Sequence, residues 1–155
     1  MEFEVVFKNQ FSGIGLSWEG TFQQAANGEI REIIRTLLSR VEEIEGKVNP
    51  QQLLGLSNYK DPTSNRFTHY SVVEVEDGTE PPAGMIKVEI PTLRYVKTFH
   101  LKDTDIQSDY TKTFHWIKEN GYKLHTEYLT HLEIYPMSEE AYSTNPSFTI
   151  MIPLQ

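Results

Sequence analysis

The sequence predicts a mixed α+β fold in which a strand–helix–strand–strand unit occurs twice. Three observations carry this: two stretches with helical apolar spacing, several short stretches rich in β-branched and aromatic residues, and the same order of elements in each half. The 155 residues fit one domain, 1–155, large enough to bury about two-thirds of the surface its unfolded form exposes. With 38% apolar and 12% aromatic residues (eight Tyr, eight Phe, two Trp), the chain is neither disordered nor collagen-like.

Glu2 to Phe7 alternates like a strand, and Gly13 to Gly20 is a second strand bounded by glycines. Ile30, Ile33, Ile34, Leu37, Leu38, Val41 and Ile44 recur at helical spacing, with Asn27-Gly28 to open the helix and Gly46 to stop it. Leu53 to Tyr59 is short and apolar, closed by a turn signal at Lys60-Asp61-Pro62, and Phe67 to Val75 reads as a long strand. The segment from Asp77 to Gly84 suits a connection between halves of about 1–80 and 81–155. In the second half, Met85 to Ile90 and Thr92 to Phe99 read as strands with a break at Pro91. Ile106, Tyr110, Phe114 and Ile117 mark a helix face ending at Asn120-Gly121, and Leu129 to Tyr135 and Phe148 to Pro153 are the last strands. An offset of 77–78 sets Leu16 on Leu93, Gly55 on Glu133 and Ser71 on Thr149. Two such units bury their sheets against helices and each other, and their junction is the expected ligand cleft.

Fourteen basic against twenty-two acidic residues give a formal charge of -8 without a Lys/Arg cluster, which argues against direct nucleic-acid binding. The absence of cysteine excludes disulfides, thiol catalysis and Cys-ligated metals. Met1-Glu2-Phe3-Glu4 lacks a basic leader region, and no apolar run approaches the roughly 18 residues of a membrane span, so a cytoplasmic protein is expected. His69, His100, His115, His125 and His131 have no metal-ligating spacing; neither a metal nor another cofactor is expected. Gly13-Ile14-Gly15 lacks the third glycine of a nucleotide loop, and neither Gly-Leu-Ser triplet completes a nucleophile elbow.

Glu133 is different. Inside a strand, Leu132 and Ile134 share one face while His131, Glu133 and Tyr135 share the other. If the aliphatic face packs on a helix, the carboxylate and its neighbouring rings look into the space opposite; a solvent-facing polar stripe is the alternative. A sheltered carboxylate awaits a proton or a cation, and aromatic faces around a cation add about 0.5–2 kcal/mol each. Such a group is a receptor for a lipophilic cation or a general acid/base.

Several segments resemble the GyrI-like small-molecule-binding domains, the effector-binding module of AraC/MerR-type multidrug regulators. They are Ile14-Gly15-Leu16-Ser17-Trp18-Glu19-Gly20; Leu54-Gly55-Leu56-Ser57 with Phe67, Tyr70 and Val73-Glu74-Val75; and Pro82-x-Gly84-Met85 with Ile90-Pro91-x-x-x-Tyr95. Trp116-Ile117-x-x-Asn120-Gly121-Tyr122, Leu132-Glu133-Ile134-Tyr135 and Ile150-Met151-Ile152-Pro153 follow in the family's order. The resemblance implies a duplicated βαββ unit with a pseudo-two-fold axis, antiparallel sheets, a helix from each half and a ligand site between the halves. It implies Glu133 as the pocket carboxylate, Tyr95 and Trp116 as matched aromatics, and Tyr70 as a further candidate. Phe22, Phe67, Tyr135 and Met151 join them by strand facing or position. Departures from the family pattern are Thr149, where a polar or acidic residue is usual, and Leu93-Arg94 in place of a glycine, with Arg94 expected near the mouth.

The expected function is that of a stand-alone effector-binding protein for amphipathic, cationic or aromatic compounds, in transcription regulation or drug sequestration. One alternative is a hydrolase of electrophilic natural products using Glu133 with Trp116 and Tyr95. Another is a protein-interaction module like the gyrase inhibitors, with a protein partner.

Overall fold

The computed structural model describes residues 1–155 apart from Lys60, Pro62 and the side chain of Glu139. Eight strands form one antiparallel sheet: β1 (Glu4–Lys8), β2 (Phe11–Thr21), β3 (Gln52–Asn58), β4 (Arg66–Val75), β5 (Ile86–Ile90), β6 (Leu93–His100), β7 (His131–Pro136) and β8 (Phe148–Leu154). Their order across the sheet is β1-β6-β8-β7-β3-β4-β2-β5. The helices are α1 (Phe22–Ala26), α2 (Glu29–Arg40) and α3 (Ile106–Glu119), with short 3₁₀ turns at Val41–Glu43 and Glu139–Tyr142. The turn expected at Lys60-Asp61-Pro62 falls partly on Lys60 and Pro62, which lie outside the described residues. No helix among the described residues is long and apolar enough to cross a membrane.

Read from either end, the sheet has the same plan. β1-β6-β8-β7 mirrors β5-β2-β4-β3, so the duplicated unit expected from the sequence is present, joined into one sheet rather than two. The registers obey the same symmetry. Val6 opposite Tyr95 has its counterpart in Val88 opposite Gly13, and the central pair, Gly55 opposite Glu133, is its own counterpart. The pseudo-two-fold axis therefore passes between Gly55 and Glu133. Away from the axis the sequence alignment slips. Gly55 opposite Ser71 corresponds to Glu133 opposite Ile150, so Ser71 matches Ile150 rather than Thr149. Likewise Leu16 opposite Ser71 corresponds to Thr98 opposite Ile150, so Leu16 matches Thr98 rather than Leu93. The first half carries the additional α1 between β2 and its long helix.

α1 went unforeseen because it has no apolar period. Its signature is the capping box: Thr21 Oγ1 accepts from Gln24 N at 3.1 Å, and Gln24 Oε1 accepts from Thr21 N at 2.8 Å. α2 buries Ile34 and Leu37, and its periodic stretch continues into the 3₁₀ turn, leaving Ile44 buried beyond it. Asp105 caps α3, accepting from Gln107 N at 3.2 Å. Asp109, in the first turn, meets the fully buried His100 Nδ1 at 2.7 Å, and His100 Nε2 lies 3.0 Å from Asn145 Oδ1. This network fastens α3 to the end of β6 and to the loop before β8.

Two short connections bend the sheet. β1 and β2 stand six places apart in the order, as do β5 and β6, yet each pair is joined by two residues. In a flat sheet the strands of such a pair would lie about 30 Å apart, whereas a three-residue step spans at most about 11 Å. The sheet must curl so that its edges come together, and Gln10 N donates to Thr92 Oγ1 at 2.9 Å where the connections meet. Pro91 thus marks a corner between distant strands rather than a break within an edge. The inner face of the curl buries Phe11, Ile90 and Leu93 against Leu54, Leu56, Val72, Leu132 and Met151.

Leu132 and Ile134 belong to this inner core, which among the described residues is made of strand residues and Leu129, with no helical residue in it. The helices lie on the opposite face, the face of Glu133: α2 packs on Ile14, Leu53 and Val73, and α3 on Val96, Ile150 and Ile152. Within the sheet, β2 and β4 approach closely at Gly15. A Cβ there would lie 1.9 Å from the Ser71 carbonyl oxygen and 2.8 Å from Val72 Cα, both backbone atoms that cannot swing aside. Gly15→Ala should therefore cost about 3 kcal/mol of unfolding free energy, measured by urea titration.

Candidate functional site

α2 and α3 cover the two flanks of the sheet, α2 reaching as far as Leu53 on β3, and leave the stretch around Gly55 and Glu133 of the central pair between them. The trough so formed is a cavity of about 750 Å³. Its floor is the outward face of the central strands: Ser57 from β3, His69 from β4, and His131, Glu133 and Tyr135 from β7. One wall is α2 with Ile30, Arg31 and Ile34, the other α3 with Ile106, Tyr110 and Phe114, and both halves of the chain contribute.

Glu133 sits at the centre of this floor with its side chain 13% exposed. Both carboxylate oxygens are engaged by phenols: Tyr135 Oη donates to Oε1 at 2.7 Å, and Tyr110 Oη donates to Oε2. Burial, and then the adjacent carboxylate, raise both phenols well above their ordinary range, so they remain protonated donors. His131 Nε2 is 3.9 Å from Oε2, and burial lowers its pKa against the opposing pull of Glu133, leaving it a neutral ring at pH 7. Among the described residues no Lys or Arg forms an ion pair with Glu133.

The position owes its space to Gly55 across the strand pair. A Cβ at residue 55 would lie 3.1 Å from His69 Cε1 and 3.6 Å from Tyr135 Cε2. His69 lies over the glycine, held between hydroxyls: Ser57 Oγ is 3.0 Å from Nδ1 and Ser71 Oγ is 3.0 Å from Nε2. A neutral imidazole donates from one nitrogen and accepts at the other, so both contacts are satisfied without charge. Burial pulls His69 down to about 4, with Glu133 acting in the opposite direction and His131 adding slightly to the lowering.

Rings close one end of the trough. Phe22 stacks on Phe67 at 5.1 Å between centroids, Tyr59 meets Phe67 edge-on at 5.0 Å, and Tyr59 continues to His131 at 5.4 Å. These contacts fall in the range where aromatic pairs attract beyond their buried area. Phe22, on α1, is about half exposed and forms the outer lip.

Of the residues singled out from sequence, the cavity brings together Glu133, Tyr135, Phe22 and Phe67. The other four lie elsewhere. Tyr95 is fully buried and Met151 nearly so in the inner core, on the far side of the sheet, and Tyr70 packs against the same cluster. Trp116 is on the outer side of α3, between Phe3 at 5.4 Å and Tyr122 at 5.8 Å. Arg94 is not at the mouth: its guanidinium lies 5.3 Å over Tyr122 and donates to the Gln155 carbonyl. The residues that sequence reasoning did not assign to the site are Tyr110, Tyr59, His69 and Arg31. Tyr110 carried a signal, since it stands on the apolar face of α3, one turn after Ile106 and one before Phe114.

The architecture has counterparts among solved structures. SAV2435 bound to tetraphenylphosphonium superposes with a TM-score of 0.68 at 12% identity, over 100% of this chain and 94% of that one. The EcmrR C-terminal domain matches with a TM-score of 0.71 at 16% identity, over 99% and 97%. A hydrolase from Listeria innocua matches with a TM-score of 0.58 at 11% identity, over 99% and 92%. At these identities the likeness is one of fold. No curated protein sequence matches the chain. The profile of the GyrI-like small molecule binding domain matches residues 1–155. The chain belongs to that family, as the order of its motifs implied.

The buried imidazole makes a prediction about pH. As pH falls from the ordinary histidine value of 6.5 towards about 4, the unfolded chain takes up a proton at residue 69 that the folded chain refuses. Stability is then complete above 6.5 and declines through that window, by up to about 3 kcal/mol from this residue. Urea unfolding at about pH 7.5 and pH 5 should show a shallower decline for His69→Asn than for the wild type; equal declines would assign the proton elsewhere.

Proposed function

We propose that this GyrI-like domain is a cytoplasmic receptor for amphipathic small molecules, cationic or aromatic, that holds them against Glu133. One observation carries the reading: a carboxylate lies in an apolar, ring-lined cavity, its oxygens fixed by two neutral phenols and matched by no ion-paired cation among the described residues. A ligand cation entering the trough meets that negative charge at reduced dielectric and the rings of Tyr59, Tyr110 and Phe67 lining the same space. The volume suits a ligand of drug size. The tetraphenylphosphonium held by SAV2435, on a similar fold, is a ligand of this chemistry. Contacts from both halves, divided near residue 80, let a bound molecule bridge them, which suits sensing on behalf of a regulator or simple sequestration. Tyr95, Trp116, Tyr70 and Met151 have no direct part in this reading, since they do not line the cavity.

A second reading is supported by the phenol–carboxylate contact and by the hydrolase among the similar folds. Glu133 then takes a proton from water as the water oxygen attacks an electrophilic carbon, and Tyr110 passes a proton to the departing heteroatom while recovering one from Glu133, so that both groups end as they began. The two readings differ in turnover. Mass spectrometry of an electrophile panel should show substrate unchanged if the protein only binds, and consumption that persists in Glu133→Gln rejects the carboxylate as base.

The binding reading is tested with tetraphenylphosphonium by isothermal titration calorimetry. Glu133→Gln should weaken binding at least about 10-fold, equivalent to about 1.4 kcal/mol, with an unchanged circular dichroism spectrum. Unaltered affinity in a folded variant removes the carboxylate from the site.

A further inference from the structure

We infer that the cavity selects dipolar ligands, which carry an anionic group as well as the cation, and that Arg31 is the residue that recognises the anion. This deepens the proposed binding role and rests on it. Among the described cavity-lining residues Arg31 is the one Lys or Arg, as Glu133 is the one carboxylate. With the arginine charged and the glutamate ionised, the formal charge of the lining cancels. A simple monovalent cation is thus attracted by one end of the site and repelled by the other, whereas a molecule with both charges is attracted by both.

The placement of the guanidinium supports this. It folds back over the corner between α1 and α2, where a Cβ on Gly28 would come within 2.8 Å of an Arg31 terminal nitrogen. That corner adjoins α1, which carries Phe22, and Arg31 and Glu133 line the same cavity without forming an ion pair. The acidic neighbours of Arg31 on the helix are engaged elsewhere: Glu29 accepts from Trp18 Nε1 at 3.1 Å, and Glu32 faces Arg35 at 4.0 Å. No described side chain forms a salt bridge or hydrogen bond with Arg31. Its position also works against helix stability, because a cation in the first turn faces the positive end of the helix dipole. An anion at the rim would satisfy the guanidinium and that helix end together.

Two dyes that differ in one group test the assignment: a permanently cationic rhodamine ethyl ester and the corresponding free acid, with the same cation plus a carboxylate. By fluorescence titration at low salt, the wild type should bind the acid about 3- to 5-fold more tightly than the ester, the effect expected of a partly exposed ion pair. Arg31→Gln should abolish the difference, and Arg31→Glu should reverse it. Glu133→Gln should weaken both dyes alike. Equal affinity of the wild type for the two dyes, or a preference that survives Arg31→Gln, overturns the role of Arg31 while leaving the receptor reading intact. Failure of the wild type to bind either dye overturns the receptor reading and the inference with it.

Discussion

The antiparallel pairing of β3 with β7 is the constraint on which the rest of the molecule depends. It joins two similar halves into a single sheet and sets Gly55 directly opposite Glu133 on the axis that relates them. Because each half brings its long helix to its own flank, the strands nearest the axis keep a gap between the helices around Gly55 and Glu133. The cavity is therefore a product of the symmetry rather than of any special loop. Its central residue is the one whose strand lies at the seam.

The two faces of the sheet answer different needs. The inner face buries aliphatic side chains because the two-residue links between distant strands force the sheet to close on itself. The outer face at the seam is free of that demand and can hold groups that would be costly in a sealed core. Glu133, His69 and His131 are tolerated there because each finds a polar partner or remains uncharged: phenols for the carboxylate, serines for one imidazole, neutrality for the other. Tyrosine suits this setting, since its hydroxyl settles the acid while its ring maintains the apolar wall.

Much of this was legible in the sequence, and the illegible parts have identifiable causes. The apolar periods of α2 and α3 and the β-branched runs located the main elements, and the parity of Leu132-Glu133-Ile134 separated the two faces of β7. What parity cannot give is which face receives the helices. The expected arrangement, with the aliphatic side of β7 under a helix, is inverted because a curled sheet supplies its own second layer. Met151 was expected at the site from strand facing or position, and Tyr95 and Tyr70 from the family resemblance, whereas their strands present all three to the inner core. Trp116 was displaced by helical geometry, since it lies four residues before Asn120, on the side of α3 that meets Phe3 rather than the sheet seam. Tyr110 escaped notice because only the fold reveals that its hydroxyl reaches across to β7. The links through Asn9-Gln10 and Pro91-Thr92 look like hairpin turns locally, and only the pairing partners of β1, β2, β5 and β6 reveal them as crossings.

The self-paired position at the seam has an evolutionary reading. Two identical lobes, whether subunits of a dimer or perfect repeats, must present the same side chain twice at their common axis. Glutamate in both copies would set two negative charges about 5 Å apart, and glycine in both would leave no acid at all. A solitary acid at the centre is accessible only once the copies sit in one gene and can diverge residue by residue, so fusion is what makes an off-symmetry carboxylate attainable from a symmetric scaffold.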